Sequence, residues 1–544
     1  MIAISQLVRI RDSKVVKYIA EFGKQSLREI AEATGLSKDA VSRSLKSQKK
    51  RDKYPESHLW ETNEGQDWLN MMFCAAIYEF GLKGGNGAER ISAFFNRIRV
   101  NTHIGVSPTA IRTKLRKLEE LAAEYQDYQE KKQSHSGCKM RDSICAGDET
   151  FFKDKVMLVL LDLPSGYLVL EDEAKDRAFD TWESKAKARL EQLGLRVRHF
   201  ISDRGKSLIK LAVDGFGCAS GADMFHGQYD ISKWLGRALN GKVGQACKKL
   251  KEAQAKLVSL KEKGAGPEKK EKQETLVKEC RKNLDSIESA KKEYRETQQA
   301  VSGAVHAFSL EDNKAQTSAH VEASLEAEVV RFEEIAEEQS IKDKKKTADK
   351  FRRQIKDIAC VIDAWWLWTK ESLAEYKAGK EIKAWLLSAL LPVLYWHNQR
   401  EKTQNPELRK KYDSAWEKAL ASFNSHPLTC TISDKEMEKW RSWGEWACNN
   451  FHRTSSAVEG RNGYLSQCHH NGRGLTKQRQ KALTAIHNFD TKRRDGTTPA
   501  QRLFGVEFED MFEWILGQMG DMPLPRKARQ HAARNPFKIQ TVLA

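Results

Sequence analysis

One stretch of the chain carries the apolar spacing of a short series of β-strands with a helix among them. Two apolar runs, residues 156–163 and 167–171, flank a Pro-Ser-Gly turn and predict a hairpin buried on at least one face. Residues 143–152 precede them and are a short apolar approach to Asp148 and Glu149, bounded by aromatic residues. Residues 176–193 have helical spacing, and another strand ends just before Asp203. The order strand, strand, strand, helix, strand is typical of an α/β unit.

The N-terminal segment, residues 1–53, has the spacing and the capping residues of a helix-turn-helix. Ser26, with Glu29 three residues later, predicts a capping box for one helix, and Ser37 is placed to cap the next. Gly35 tolerates the left-handed backbone of the turn between them. Such a helix reads base edges in a major groove with its N-terminal residues, although a purely structural three-helix module is the alternative. The candidate DNA contacts are Lys38, Ser42, Arg43 and Lys46.

A second helical region, residues 56–130, is interpreted as another helix-turn-helix-like DNA-binding domain. Ser107 is placed to cap a helix whose first position is Pro108. The apolar residues of this helix fall on one stripe, which is typical of a buried face. They are Ile111, Leu115, Leu118 and Ala122. Arg112 and Arg116 are candidate DNA contacts near its start, and a dimerisation helix is the alternative.

Residues 131–142 are polar and are interpreted as a linker, whereas residues 241–442 are predicted to be an all-helical insertion. The insertion repeats apolar residues at heptad spacing, turns at the Gly-Ala-Gly-Pro of 264–267 and repeats the pattern on its return. This predicts an antiparallel coiled-coil hairpin. Its tryptophans Trp365, Trp366 and Trp368 are interpreted as core residues. The segment 443–520 follows, and 521–544 is a basic tail.

Charge changes this picture more than any other feature of composition. The chain has 93 Lys and Arg against 75 Asp and Glu, a net charge of +18, which favours a polyanionic partner such as nucleic acid.

No apolar run has the length of a membrane span, and the first residues lack the apolar segment of a signal peptide. The ten cysteines include no Cys-x-x-Cys pair, as expected of reduced thiols. We therefore expect no membrane association and a location in the cytoplasm, with the nucleoid, in a prokaryote or in the nucleus in a eukaryote.

Asp148 lies in the first predicted strand and Asp203 just after the last. Carboxylates at neighbouring strand ends can bind divalent cations, and Mg²⁺ favours one or two carboxylates together with substrate phosphates. Two such ions, about 3.5–4 Å apart, activate a water or a hydroxyl and stabilise the leaving oxygen of a phosphodiester. Strand alternation should point Glu149 to the face opposite Asp148. The other rival carboxylates are Asp162, the best spare candidate, Glu171 and Asp214.

This arrangement resembles the ribonuclease-H-like core of DDE transposases, with Asp148 and Asp203 matching its first two acidic residues. The sequence Ala-Asp-Met-Phe-His at 222–226 is similar to the Asp-x-x-His signature of several transposase superfamilies, including the hAT and Mutator-like groups. The resemblance covers residues 143–230 and 443–505, and the Thr-Pro-containing end of the second range is similar to the close of integrase-type cores. It implies a third acidic residue at the start of a later helix, which Glu459 supplies. Its nearby competitors are Glu436, Glu438 and Glu445.

The resemblance implies a multidomain α and α/β protein with N-terminal helix-turn-helix units. Its ribonuclease-H-like α/β core, residues 143–240 with 443–520, is interrupted by the large all-α insertion. The family's chemistry implies that Asp148, Asp203 and Glu459 hold two Mg²⁺ ions, or Mn²⁺ in their place. Asp223 and His226 are expected beside these ligands. Polar and basic residues around Glu459 are interpreted as holding a DNA end through its phosphates. They are Arg453, Arg461, Asn462 and Arg473.

The activity implied by the resemblance is that of a DNA transposase. Such an enzyme binds the terminal inverted repeats of a mobile element, cleaves the DNA and joins a 3′-hydroxyl to target DNA, as a homo-oligomer of two or more copies. Two other hypotheses stay open: a non-catalytic or domesticated DNA-binding regulator with the same fold, and a structure-specific nuclease without strand transfer. The presence of all three acidic residues favours the enzyme.

Overall fold

The computed structural model describes residues 4–23, 25–52, 60, 63–135, 140–152, 155–471 and 473–524. It is mostly helical, with one mixed five-stranded sheet. The chain divides into two compact units, the first ending at Lys132 and resuming at Leu465, and the second running from Gln133 to Tyr464. No helix in the described ranges combines the length and the apolar character that crossing a bilayer requires.

Three helices open the first unit: α1 (Ile4–Phe22), α2 (Leu27–Thr34) and α3 (Lys38–Asp52). The capping box predicted for Ser26 and Glu29 is confirmed, and Gly35 ends α2 in the left-handed conformation with φ 68°. Ser37 accepts a hydrogen bond from the Ala40 amide at 3.2 Å, so it caps α3. A small buried cluster holds the three helices together. Its members are Val15, Ile30, Ala31 and Val41.

The first unit continues with helices that contain the second predicted DNA-binding region. They are α4 (Asn63–Ala76), a π-helix (Ile77–Lys83), α5 (Ala88–Arg97), a 3-10 turn (Val100–Thr102) and α6 (Pro108–His135). Ser107 accepts a hydrogen bond from the Ala110 amide at 3.2 Å, and the predicted apolar stripe of α6 is buried. The predicted linker is wrong at both ends, because α6 runs to His135 and a strand begins at Arg141. Its residues 136–139 lie outside the described residues.

The second unit contains the sheet. Its strands are β1 (Arg141–Phe152), β2 (Lys155–Asp162), β3 (Tyr167–Ala174), β4 (Leu195–Ser202) and β5 (Ala219–Ala222), with α7 (Phe179–Leu193) between β3 and β4. The strands lie in the order β3-β2-β1-β4-β5. β1 is antiparallel to β2, which is antiparallel to β3, whereas β1, β4 and β5 are parallel. The predicted order of three strands, a helix and a strand is therefore confirmed.

Helices occupy the rest of the second unit. The first of them are α8 (Lys206–Lys210), a π-helix (Leu211–Gly215), α9 (Met224–Ile231), a π-helix (Ser232–Gly236), α10 (Arg237–Glu262) and α11 (Pro267–Ala304). The predicted turn at 264–267 connects α10 to α11, which pack as a helical hairpin. Its predicted apolar positions face inward, for example Leu250 and Ile287, which are 8% and 6% exposed.

The remaining helices of the second unit pack around buried tryptophans. They are α12 (Ser318–Glu338), α13 (Thr347–Ala374), α14 (Lys380–Trp385), a π-helix (Leu386–Leu390), α15 (Leu391–Lys402), α16 (Pro406–Ser425), a 3-10 turn (Pro427–Cys430), α17 (Asp434–Asn449) and α18 (Ser456–His470). The unit's boundary at Tyr464 falls within α18. Trp365, Trp366 and Trp368 are all buried, so their interpretation as core residues is confirmed.

The segment predicted to close the α/β core belongs instead to the first unit from Leu465 onward. It forms α19 (Lys477–Phe489), α20 (Pro499–Phe504) and α21 (Met511–Gln518). Aromatic contacts explain the difference. The ring of Tyr125, on α6, meets Phe489 edge-on at 5.5 Å and Trp514 at 5.4 Å. Helices α19 and α21 therefore pack on α6, and of the predicted tail only 521–524 lies in the described residues.

A fully buried histidine joins several helices of the second unit. His306 lies within hydrogen-bonding distance of the hydroxyls of Tyr395 (2.8 Å) and Tyr412 (3.0 Å). The guanidinium of Arg453 is 3.1 Å from its Nε2 and also donates to the carbonyls of Ser302 and Val305. Burial, with a smaller contribution from the charge of Arg453, holds the pKa of His306 well below its usual value. The imidazole is therefore neutral in the folded protein near pH 7.

We expect acid to destabilise this cluster. Below a pH of about 6.5 the unfolded chain protonates His306 whereas the folded chain does not, so the free energy of unfolding falls by up to about 1.4 kcal/mol per pH unit. Urea unfolding at pH 7.5 and pH 5.0 should therefore show a smaller loss of stability for His306→Gln than for wild type. The exposed His397, on α15, provides the control His397→Gln. An unchanged pH effect in His306→Gln would contradict the assignment.

Candidate active site

The central strand β1 carries Asp148 on one face of the sheet. Asp148 lies opposite Val159 on β2, which lies opposite Glu171 on β3, so these three residues share a face. One carboxylate oxygen of Asp148 accepts from the Glu149 amide at 2.8 Å, and the other accepts from the Asn462 amide group at 2.7 Å. Two donors on separate elements therefore fix the orientation of this carboxylate.

Asp203 stands beside Asp148 because their strands are parallel neighbours. Ala146 pairs with Ile201, so two residues further along each strand come Asp148 and Asp203. The chain turns sharply there, with Arg204 at φ 70°, a conformation rare for a residue other than glycine. Asp203 stabilises the turn by accepting a hydrogen bond from the Gly205 amide at 2.9 Å. Backbone strain of this kind is concentrated at functional sites.

Glu459 reaches the same place from the first turn of α18. Its carboxylate is 3.4 Å from Nε2 of His226, and its charge, like that of Asp203, acts on the ionisation of Asp148. The structure thus brings together Asp148, Asp203 and Glu459 as predicted from the sequence. The sequence predicted Glu459 near the start of a helix, and α18 begins at Ser456.

A chain of hydrogen bonds holds His226 beside Glu459. Asp223 is almost fully buried, caps α9 by accepting from the Phe225 amide, and lies 2.9 Å from Nδ1 of His226. The Ser455 hydroxyl donates to the same Asp223 oxygen at 2.7 Å. The hydrogen bond to Asp223 raises the pKa of His226 to about 9, so the imidazole is positively charged near neutral pH. The sequence offers Ser455 only as a candidate N-cap of the helix that carries Glu459, and its hydrogen bond to Asp223, 232 residues earlier, has no local signal.

Asp148 is the carboxylate of the site whose ionisation is most disturbed. Burial raises its pKa to about 7, and the negative charges of Glu459, Asp203 and Glu149 add to this effect, while the Glu149 amide opposes it. A cluster of carboxylates that disfavours its own negative charge is a suitable environment for a cation. The atoms that this cluster offers to a metal ion are carboxylate oxygens, which Mg²⁺ and Mn²⁺ prefer as ligands.

Within the described residues no three His, Cys, Asp or Glu side chains are arranged to hold a metal ion as they stand. Mg²⁺ commonly takes only one or two protein carboxylates and completes its shell with water and substrate phosphates. The pair Asp148, within β1, and Asp203, just after the end of β4, fits that requirement, with Glu459 as a third oxygen donor. The residues present therefore fit a divalent cation bound together with a phosphate substrate.

Three of the rival carboxylates, Glu149, Asp162 and Glu171, have other partners. Glu149 accepts from the indole N–H of Trp182, on α7, at 3.0 Å, in agreement with the predicted opposite face. Asp162, the best spare candidate, is wrong as a ligand because it is buried and accepts from Ser143 at 2.6 Å and from the amide of Ser165 at 3.0 Å. These bonds make Asp162 the residue that fixes the turn between β2 and β3.

The prediction that Arg461 contacts DNA is wrong, because its side chain faces the interior of the protein. Its guanidinium forms a two-pronged ion pair with Glu171, with Nη2 2.9 Å from Oε1 and Nε 2.5 Å from Oε2. Arg461 is 7% exposed and Glu171 8%. Neither residue has the surface to contact DNA or a metal. Their pairing instead attaches α18 to β3, and Asn462, also buried, is likewise assigned to the sheet through Asp148 rather than to DNA.

Arg453 and Arg473 also have partners within the protein. Arg453 belongs to the His306 cluster, and Arg473 donates to the Gly81 carbonyl at 2.6 Å and to Glu119 at 2.5 Å within the first unit. These bonds use the donors that phosphate contacts would need, so the prediction of DNA contacts is corrected for both. The partners of Arg453 and Arg473 are distant in sequence, so the local sequence does not reveal these bonds.

The residues of α3 and α6 that are predicted to contact DNA lie at the protein surface. Lys38, Arg43 and Lys46 are exposed on α3, and Ser42 is half-buried. Arg112 and Arg116 are exposed on α6, where Arg112 pairs with Glu89. These six positions stay predictions of DNA binding.

Residues 386–531 match the model of a family described as "Family of unknown function (DUF6399)". The matched range contains α18, and so Glu459, Arg461 and Asn462, but neither Asp148 nor Asp203. No curated protein matches the sequence. The geometry of the site therefore carries the functional argument.

Breaking the Arg461–Glu171 pair should destabilise the second unit. Arg461→Met removes the two-pronged ion pair of the buried Glu171 carboxylate, which we expect to cost about 3–5 kcal/mol in the free energy of unfolding. Arg461→Met combined with Glu171→Met removes both charges and should recover most of that loss. Urea unfolding followed by circular dichroism measures both variants. If Arg461→Met alone is as stable as wild type, the pair does not attach α18 to the sheet.

Proposed function

We propose that the protein is a DNA transposase of the DDE type, a Mg²⁺-dependent enzyme that cleaves DNA strands and transfers them to a target. The observation that carries the proposal is the meeting of Asp148, Asp203 and Glu459 from two adjacent parallel strands and a distant helix. The sheet order β3-β2-β1-β4-β5, with its antiparallel and parallel halves, is what a ribonuclease-H-like core would have and supports the same proposal.

Asp148, Asp203 and Glu459 would hold two Mg²⁺ ions, or Mn²⁺ in their place. When bound, the ions supply an activated water or 3′-hydroxyl and stabilise the leaving oxygen. Asn462 keeps the Asp148 carboxylate oriented toward the site through its hydrogen bond. The positive charge of His226 beside Glu459 offsets part of the local negative charge, which otherwise repels an approaching phosphate.

The N-terminal helices support the DNA-binding half of the proposal. α2 and α3 form a capped helix-turn-helix pair, and α3 exposes Lys38, Arg43 and Lys46. A helix in this position enters the major groove in DNA-binding proteins of this class. We propose that these helices bind the terminal inverted repeats of an element, and that two or more copies of the chain act together on DNA.

Removing any one of the three carboxylates should abolish cleavage. We expect Asp148→Asn, Asp203→Asn and Glu459→Gln each to reduce Mg²⁺-dependent cleavage of element-end DNA to background, because all three serve the same displacement. DNA binding, measured by fluorescence anisotropy, should persist. Asn462→Ala should lower the cleavage rate by roughly 10–100-fold, the usual effect of removing a group that orients a metal ligand.

The exposed Glu445, on α17, provides the matched control, since Glu445→Gln makes the same chemical change outside the site. Substantial cleavage by Glu459→Gln would move the third ligand elsewhere. If wild type binds DNA but never cleaves it with Mg²⁺ or Mn²⁺, a non-catalytic DNA-binding protein replaces the proposal.

Reversing charge on α3 should weaken DNA binding and its dependence on salt. Arg43→Glu with Lys46→Glu removes two candidate phosphate contacts, so the slope of log affinity against log salt should fall by about 2. The variant Lys14→Glu with Lys17→Glu makes the same change in net charge on the exposed side of α1. Equal losses in both variants would mean that α3 makes no specific contact.

A further inference from the structure

Beside His226, α9 exposes a pair of aromatic side chains that the proposed chemistry does not use. Phe225 is 47% and Tyr229 43% exposed. Their rings are stacked, with centroids 5.9 Å apart and planes only 9° from parallel. The spacing of four residues keeps them on one face of the helix. An exposed stacked pair of this kind can be extended by another flat ring.

This aromatic pair is continuous with the candidate active site. The Phe225 ring meets the His226 ring edge-on, with centroids 6.1 Å apart. His226 in turn lies 3.4 Å from Glu459. Only the side chain of His226 therefore separates a ligand bound on this aromatic pair from the carboxylate of Glu459.

The charge next to the pair favours a polyanion. The ammonium of Lys233 lies 3.9 Å from the centre of the Tyr229 ring. The same ammonium is 3.9 Å from a carboxylate oxygen of Asp230. From 231 to 251 the sequence has six basic residues and no acidic one, along the helix that continues from α9 into α10. The six are Lys233, Arg237, Lys242, Lys248, Lys249 and Lys251. An aromatic surface beside a basic run is the usual design of a binding site for single-stranded nucleic acid.

We propose that Phe225 and Tyr229 form a stacking platform for an unpaired nucleobase of the DNA strand in the active site, with Lys233 next to its phosphates. The inference rests on the proposed function and adds a requirement to it. Inside a duplex both faces of each base are covered by its neighbours, so an internal base can extend this stack only after it is unpaired. The strand next to the scissile phosphate must therefore be single-stranded or locally opened.

The test compares DNA binding by full-length variants without divalent metal, using fluorescein-labelled single-stranded and blunt duplex oligonucleotides. Phe225→Ala with Tyr229→Ala should weaken single-strand binding roughly tenfold or more, because base stacking on aromatic side chains contributes strongly to each site. Duplex binding should be unchanged. The exchange Phe225→Tyr with Tyr229→Phe keeps both rings and should bind like wild type. Leu367→Ala removes an exposed apolar side chain elsewhere, on α13, and serves as the control.

Three outcomes would overturn the platform: no loss of single-strand binding, an equal loss for both oligonucleotides, or the same loss in the ring-preserving exchange. A changed oligomeric state in light scattering, with single-strand affinity intact, would assign the surface to contact between copies of the chain. If wild type lacks Mg²⁺-dependent cleavage but loses single-strand binding on removal of the two rings, the proposed function fails and the platform stands. If the alanine variant cleaves DNA and binds single strands like wild type, the platform fails and the proposed function stands.

Discussion

The buried ion pair between Arg461 and Glu171 is the interaction on which the candidate site depends. The insertion separates α18 from the sheet in sequence, so local connections cannot place Glu459. The pair fixes α18 over β3, and Asn462, the next residue, then reaches Asp148 on β1. A shift of α18 by one turn would break this two-pronged ion pair between buried charges, at a cost of several kcal/mol. The pair thus specifies one position of the helix.

This fixed position holds together groups that repel each other. Asp148, Asp203 and Glu459 carry like charges, and the raised pKa of Asp148 records the cost of their proximity together with its burial. Hydrogen-bonded pairing of β1 with β4 keeps the first two together, while α18 supplies the third. Such a site destabilises the folded protein in the absence of a counter-charge, as expected where residues are selected for chemistry rather than stability. His226 supplies part of that counter-charge.

The structural features that depend on neighbouring residues along the chain were predicted correctly from the sequence. The caps at Ser26 and Ser37, the hairpin of β2 and β3 and the α10–α11 turn each have a local signal, and the structure has them at the expected places. What failed depends on distant partners. Arg461 looks like a surface cation, and its partner lies 290 residues earlier in the chain. The polar residues around 131–135 likewise resemble a linker, because a solvated helix and a linker have similar composition.

The insertion is connected to the site through the few residues that precede α18. Arg453 donates to the carbonyls of Ser302 and Val305 and contacts His306, so the chain is anchored to the helical core at that point. Two residues later, Ser455 donates to Asp223, which holds His226 beside Glu459. Because these bonds follow one another within three residues, a movement of the α11 end would be passed directly to the start of α18. The helical insertion therefore helps to determine where the third carboxylate stands.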